Sequence, residues 1–524
     1  MLLLRTNGSA NFKLMGNKLR NNLTLLFLLF FSTIAFTQPT FQKKFRISSY
    51  CYSEYAQQTF DGGYIVFGYE RDCWLIKLNA NGDTIWTKSY STSVSSSDVL
   101  YSAQQTSDSG FIFAGCTYGV TPHNTNVYLV KTNSLGDTLW SKTYGHSVEC
   151  IAYSVKQTND GGYIVCGSAS GAWRDFFLLR TNSFGDTLWT KQFNSTAYGD
   201  KIGYSVIQTY DNGFIFCGSR YLDIAIVKTD STGNITWSKI IPNSGQGNSI
   251  IQTLDSGYII GANLNNDFGL LKISSVGDII WAKSIGNTHS DYCKSIRQTS
   301  DGGIIGAGAT CLNDSGNCKI LIVKTNMYGD TIFTRVIGSP WHSGNRASSI
   351  NETSDKGFII GGWTDGFGGG NNFYCIKVDS LGYSQCNELT IPVAVNTPII
   401  QTSNYQFLNS ITTWNLYPTV TYINGGCSDT TLCTSVGINE IAMANSFLVS
   451  PNPSSGNFII SFEAMIVKGN VEILNILGEN IFSENIFNEA EKKIYLKNIS
   501  HGIYFAKVFD GAKYYCKKII VEQN

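Results

Sequence analysis

The stretch "QTNDGGYIVCG" at 157–167 decides how this chain is read. A polar run reaches Asp-Gly-Gly, residues that suit a tight turn, and an apolar strand follows. Nearly the same words recur as "QTFDGGYIVFG" (58–68), "QTSDSGFIFAG" (105–115), "QTYDNGFIFCG" (208–218), "QTLDSGYIIGA" (252–262), "QTSDGGIIGAG" (298–308) and "ETSDKGFIIGG" (352–362). The markers are Asp61, Asp108, Asp160, Asp211, Asp255, Asp301 and Asp355, spaced by 47, 52, 51, 44, 46 and 54 residues. A period of roughly 40–55 residues with strand-like content is that of a propeller.

A second signature follows each marker. "LIKLNANGDTIWTKSY" (75–90) returns as "LVKTNSLGDTLWSKTY" (129–144), "LLRTNSFGDTLWTKQF" (178–193), "IVKTDSTGNITWSKII" (226–241), "LLKISSVGDIIWAKSI" (270–285) and "IVKTNMYGDTIFTRVI" (322–337). One unit therefore reads as four strands, a to d, with an Asp-x-Gly turn between a and b and an Asn-x-x-Gly-Asp turn between c and d. That is one antiparallel blade. The glycines are expected where hairpins need positive φ. Trp, Lys and an aromatic at i, i+2 and i+4 share one face of strand d. The Trp is expected to pack between blades, with the Lys stem passing over it.

The seventh copy lacks its strand d, because "SQCNE" follows "CIKVDSLGY" (375–383). The missing piece lies at the other end. "TFQKKF" (40–45) aligns with "IWTKSY", setting Phe41 against Trp86, Lys43 against Lys88 and Phe45 against Tyr90. An N-terminal strand completing the last blade would close the ring and remove an open edge. The expected fold is all-β: a seven-bladed β-propeller over 38–383 closed by an N-terminal strand. A Thr/Ser/Asn-rich linker or small module (384–440) and a small C-terminal β-sandwich (441–524) follow.

Composition agrees. Charged residues are 15% of the chain against about 25% in ordinary domains, while aromatics are 13% and glycines number 52. The formal net charge is zero. With no basic run, an electrostatic nucleic-acid binder is excluded. "MGNKLRNN" (15–22) precedes the uncharged "LTLLFLLFFSTIAF" (23–36). About 14 apolar residues suit a signal peptide and fall short of the ~20 of a membrane span. Residues 1–37 are read as that peptide, with Met15 as an alternative start. Membrane contact is then expected only in transit. An exported chain with 14 cysteines permits disulfides. The local candidates are Cys311–Cys318 and Cys427–Cys433, whereas Cys166 and Cys217 replace core residues of strand b and read as filler.

Residues 40–383 as a whole resemble the seven-bladed propeller repeats common in secreted bacterial proteins. "KTDSTGNITWSK" is similar to the tryptophan-docking repeat of quinoprotein propellers, and "GDTLW" is more distantly similar to the sialidase Asp-box with altered spacing. Both rest on turn and packing residues, so neither implies an activity.

The tail is more specific. "FLVSPNPSSGNFIISF" (447–462), "VEILNILGENIF" (471–482), "HGIYFAKVF" (501–509) and "KKIIVEQN" (517–524) resemble, in order, the type A C-terminal sorting domain of the bacterial type IX secretion system. The matching positions are Pro451, Asn452, Pro453, Gly456, Asn475, Gly478, Gly502, Tyr504, Lys517 and Lys518; Cys516 is a departure. The resemblance implies the type IX machinery as partner, crossing of the outer membrane from the periplasm, and removal of the domain, often with attachment of the passenger to surface polysaccharide.

In a propeller the a–b and c–d turns share one face, and the b–c and d–a loops share the other. The insertions "CTYGVTPHNTNV" (116–127), "SASGAWRDF" (168–176), "TCLNDSGNC" (310–318) and "WTDGFGGGNN" (363–372) all fall on the second, and loops of that kind carry function. Trp173, Arg174, Trp341, Trp363 and Phe367 are the candidate ligand contacts, suited to sugar rings or a protein; otherwise they wedge loops together. His123, His146, His289 and His342 also lie there and read as solvated. The marker aspartates lack calcium-loop spacing and read as turn caps. No metal, cofactor or catalytic motif is expected. Three classes stay open: a surface protein that binds glycan or protein, a polysaccharide-active enzyme using acids such as Asp365 or Glu149, and a structural surface component.

Overall fold

The computed structural model describes residues 39–522, with breaks at 48–49, 93–96, 122–123, 146–148, 171–172, 195–198, 314–315, 340, 342–343, 369, 412–414, 419–421, 425–427, 435–446, 476–478, 498 and 511–513. The signal-peptide reading falls on residues outside those described, as do His123, His146, His342, Cys427 and Gly478. Contacts divide the chain into two units, Met1–Gly437 and Ile438–Asn524.

In the first unit each repeat forms one sheet. Blade 1 runs Tyr52–Gln58, Tyr64–Tyr69, Cys73–Leu78 and Thr84–Tyr90 as strands a to d, and the next five repeats follow the same order. Blade 7 takes its fourth strand from Phe41–Arg46, paired antiparallel to Asn372–Val378. The expected closure is present.

Every word of the repeat has a job at a blade junction. Adding a side chain to Gly136 would strike the ring of Trp86, so the turn of one blade seats on the tryptophan of the one before; Gly185 on Trp140 and Gly233 on Trp189 repeat this. At the seam, Gly82 seats on Phe41 in the same way. Lys88 lies 5.3 Å from the Trp86 ring and reaches Asp137 of the next blade at 2.6 Å; Lys43 reaches Asp83 at 3.0 Å across the seam. The glutamine of five of the Gln-Thr pairs caps a neighbouring turn: Gln157 Oε1 accepts the Ser107 N–H at 2.8 Å, and Gln58 Oε1 accepts that of Ser354 at 2.7 Å. One serine of strand a accepts the next inner strand's N–H, as Ser154 does from Val206 and Ser349 from Ala56. Seven similar junctions require seven similar sentences.

The Asp-x-Gly turn differs from expectation in one detail. The middle residue takes the positive φ, even as Ser109, Asn212, Ser256 or Lys356 (61–67°). The last glycine is needed for close approach: a Cβ on Gly63 would lie 2.3 Å from the Leu78 carbonyl. The marker Asp61 accepts from the Gly63 N–H and the Thr59 hydroxyl and pairs with Lys77 at 2.9 Å. Burial by itself would raise such carboxyls, but these bonds hold all seven below the usual range, Asp255 and Asp301 at about 2. A carboxyl depressed in the fold stabilises above its unfolded pKa of about 4 and loses that contribution as pH falls through the folded value. The melting temperature is therefore expected to hold between pH 8 and 5 and drop between pH 4 and 2. Each exposed pair contributes little singly, so a flat profile down to pH 2 would show that the seven together are unimportant.

The segment expected to be a linker or small module is neither. From Glu388 to Thr434 it adds a fifth, outermost strand to each sheet, taking the blades in reverse. Glu388–Leu389 joins blade 6, Ala394–Asn396 blade 5, Ser403–Asn404 blade 4, Leu408–Ile411 blade 3, Asn415–Pro418 blade 2, Tyr422–Asn424 blade 1, and Ser428–Thr434 the closing strand of blade 7. Thr, Ser and Asn suit such strands, which are mostly exposed where burial is described. Cys386, at the start of this belt, is disulfide-bonded. Cys311 and Cys318 form the expected bridge, and Cys166 and Cys217 are buried thiols.

The second unit is one five-stranded arrangement. Phe447–Ser450 and Gly502–Phe509 pair with opposite ends of the long strand Asn457–Asn475, whose other edge pairs with Asn480–Tyr495; Tyr514–Val521 completes the sheet. A bulge between Ser461 and Ile466 bends the long hairpin, so both halves face one core of Phe447, Ile460, Ile494, Val471, Val508 and Ile519.

Candidate functional site

In every inner strand the ladder to strand b slips by one residue, as between Ser53 and Tyr55 or Ala152 and Ser154. A bulge re-aims the extra side chain. The seven residues so placed are Glu54, Tyr101, Tyr153, Tyr204, Asn248, Lys294 and Ser348, and all line the axial channel, a cavity of about 270 Å³ that also takes Lys156 and Arg297. Around the ring their types differ, while the residue that follows is serine in every blade but the first, which has Tyr55.

Toward the variable-loop face the channel is walled by touching aromatic rings. Trp363 meets Tyr52 edge-on at 5.5 Å, Tyr52 meets Tyr69 at 5.7 Å, and Tyr69 meets Tyr101 at 6.0 Å. Tyr101 then meets Tyr153 at 4.9 Å and Tyr153 meets Tyr204 at 5.4 Å. Lys294 Nζ lies 5.8 Å from the Tyr204 ring, and the Arg346 guanidinium lies 5.6 Å from Trp363. Burial pushes the Tyr69 and Tyr101 hydroxyls up, so they act as neutral hydrogen-bonding groups. Burial also raises Glu54, against the opposing pull of Lys294 and a hydrogen bond with Ser348.

Of the candidates named from sequence, Trp363 joins this arc. Trp173 and Trp341 are 41% and 75% exposed. The Trp341 carbonyl accepts from Lys319 at 2.8 Å. Arg174 pairs with Glu149 at 3.0 Å. Phe367 packs edge-on to Tyr374 at 5.8 Å on a core cluster, which makes it a wedge. Asp365 accepts the Gly344 N–H at 2.6 Å. Both acids considered for catalysis therefore hold loops. The His289 N–H bonds Asn287 Oδ1, and among the described residues no cluster of three metal-ligating side chains occurs.

Sequence reasoning missed the channel residues. Their signal was present: four places before the Gln of each Gln-Thr (Glu in the seventh copy) the repeat reads Glu, Tyr, Tyr, Tyr, Asn, Lys, Ser. That is variation inside a strand, where alternation alone would put the residue on an ordinary face.

The residues that resemble the sorting motif act as fasteners within the second unit. Asn452 donates to the Lys518 carbonyl at 2.9 Å and accepts the Ile520 N–H at 2.8 Å, tying the segment of Pro451 and Pro453 to the last strand. Gly456 has φ +93°, and a Cβ there would lie 2.9 Å from Ile499. Asn475 accepts the Glu479 N–H across the hairpin turn, and Tyr504 donates to the Ser500 carbonyl. Lys517 Nζ stands 5.5 Å from the Phe447 ring. Gly502 opens the strand that carries Tyr504.

Residues 448–522 match the family of secretion system C-terminal sorting domains. No curated protein matches the chain. Among solved structures the chain is similar to a protein of unknown function from Bacteroides caccae, at 12% identity over 66% of this chain and 91% of that one, with a TM-score of 0.33. It is also similar to Sqt1 from Chaetomium thermophilum (9% identity, 61% and 82% covered, TM-score 0.37). A structural-genomics protein of unknown function from Bacteroides thetaiotaomicron gives 11% identity, 60% and 84% coverage and a TM-score of 0.34. The fold and the tail together define the class: a secreted β-propeller repeat protein. Its C-terminal segment is a type IX sorting domain, which directs the chain to the outer surface or the medium through that machinery.

Proposed function

We propose that the protein is a surface or secreted binding module that takes glycan or protein on its variable-loop face, delivered through the periplasm and released from a cleavable sorting domain. The observation that carries the binding reading is the arc of six rings from Trp363 to Tyr204 at the channel mouth. Half-buried aromatics with polar edges suit sugar faces and side chains alike. The acids proposed for a polysaccharide-active enzyme are held by Gly344 and Arg174, which favours binding over hydrolysis.

The test is a glycan and protein-ligand screen with residues 38–524, followed by substitution. Trp363→Ala is expected to weaken a captured ligand by ~1–3 kcal/mol, as for an interface anchor, and Trp173→Ala by less. Affinity unchanged in both variants would move the site off this face. A fragment ending at 383 is unsuitable, because it lacks all seven outer strands.

A further inference from the structure

Seven cations of this propeller are held in one repeated way. Lys77, Lys131, Arg180, Lys228, Lys272, Lys324 and Lys377 each sit on their own marker aspartate. The channel breaks the rule. Lys156, on the inner strand of blade 3, has neither an ion pair nor a hydrogen bond among the described residues. Arg297, on that of blade 6, bonds the Asn351 side-chain oxygen and the Ile296 carbonyl and has no ion pair among the described residues. Lys294 leans on Tyr204. Against these three cations the cavity holds one carboxylate, Glu54.

We propose that the axial channel takes the acidic end of a glycan, a sugar bearing carboxylate or sulfate, with its anion held by Lys156, Arg297 and Lys294 and its ring bounded by Tyr101, Tyr153 and Tyr204. This rests on the reading of the mouth as a ligand-binding face. Uncompensated cations in a partly desolvated cavity favour an anion far more than they would in open water. Aromatic walls with neutral phenols supply apolar faces and hydroxyl partners together, which suits a sugar. The volume of about 270 Å³ lies just below the range of small-ligand cavities, ~300–1,000 Å³, so a chain end fits and a folded partner does not. An extended acidic peptide would need free backbone partners, whereas the serines along this wall already accept N–H groups of the next strand.

The channel also sets a pH dependence. Lys156 faces Arg297, Lys294 and Glu54, together with Tyr101, Tyr153 and Tyr204. Burial, then Arg297, pulls Lys156 down to about 7. Lys156 is thus charged below neutral pH and neutral above it, and Glu54, raised by burial, gains its negative charge as pH increases. Both changes weaken anion binding as pH rises, and binding should take up protons.

The experiment is calorimetry on residues 38–524 with oligogalacturonate, a sulfated oligosaccharide, a neutral oligoglucoside of equal length and an oligo-aspartate. Either acidic saccharide is expected to bind at least ten times more tightly than the neutral one, and several times more tightly at pH 6 than at pH 8. Lys156→Ile, the residue blades 4 and 5 carry there as Ile207 and Ile251, should keep the fold, remove at least tenfold of the affinity and flatten the pH profile. Lys156→Arg should retain the affinity and lose the share of the pH dependence that Lys156 carries, leaving that of Glu54. Absence of acidic-saccharide binding, equal binding of the neutral one, tighter binding of oligo-aspartate, or an unaffected Lys156→Ile variant each overturns the proposal. A ligand sensitive to Trp363→Ala but not to Lys156→Ile would leave the mouth reading standing and remove this one. If neither screen finds a ligand, both fall.

Discussion

A chain ended after Glu440 stays inside the outer membrane of a host with type IX machinery, while the full chain reaches the surface. The cut lies beyond Thr434, so every strand of the propeller, its belt included, is retained. The sorting segment has its own core of Phe447, Ile460, Ile473 and Val508 and its own unit of contacts. Its removal should therefore leave a soluble, folded passenger in the periplasm, so retention would reflect a lost address and not misfolding. Fractionation with a blot against the propeller reads the result directly. Surface display of the truncated chain at full level would sink the idea. So would a mature surface form that still carried residues 441–524. Asn452→Ala, which removes both bonds to the last strand, should reduce export by partial unfolding of the same unit.

Deleting residues 38–46 is expected to prevent recovery of folded, soluble protein. The strand Phe41–Arg46 is flanked on both sides, by Asn372–Val378 and by Ser428–Thr434. Phe41 and Phe45 are 1% and 0% exposed. Losing one buried phenylalanine costs ~3–5 kcal/mol, and two approach the whole stability of a typical domain, ~5–15 kcal/mol. The Lys43–Asp83 pair, the seat of Gly82 on Phe41 and two strand ladders go with them. Single replacement of Phe41 by Ala keeps the ladders, so a folded protein with a melting temperature several degrees lower is expected. A deletion variant that melts with the parent would show that the ring does not depend on its seam.

How far the sequence could be read depended on repetition. Seven copies averaged out the ambiguity of any one strand, so the blades, the packing of the tryptophans between them and the closing role of Phe41, Lys43 and Phe45 were all legible. The belt was not. Its strands are as short as Ser403–Asn404, carry no period, and gain their shape from the outer edges they meet. Trp363 was found among the loop aromatics because it sits in a variable insertion. Tyr101, Tyr153 and Tyr204 are not legible as site residues because they lie within regular strands, and only the bulge turns them inward.

The belt makes the last blade a meeting point of distant chain segments. Residues 41–46 lie between 372–378 and 428–434, so one sheet joins positions nearly four hundred residues apart. Contacts of such sequence separation are slow to form, because a large loop must close before they stabilise anything. Blades 1 to 6 can assemble their first four strands independently, and residues 372–378 can close the ring, but the closing strand keeps an open edge until residue 434 has arrived. The same topology works in reverse once sealed. Opening the seam requires peeling the belt's terminal strand from the closing strand, and the resulting barrier makes unfolding slow. For a protein displayed outside the cell, beyond chaperones and resynthesis, lifetime against proteases is then governed by that barrier more than by the free-energy difference it separates.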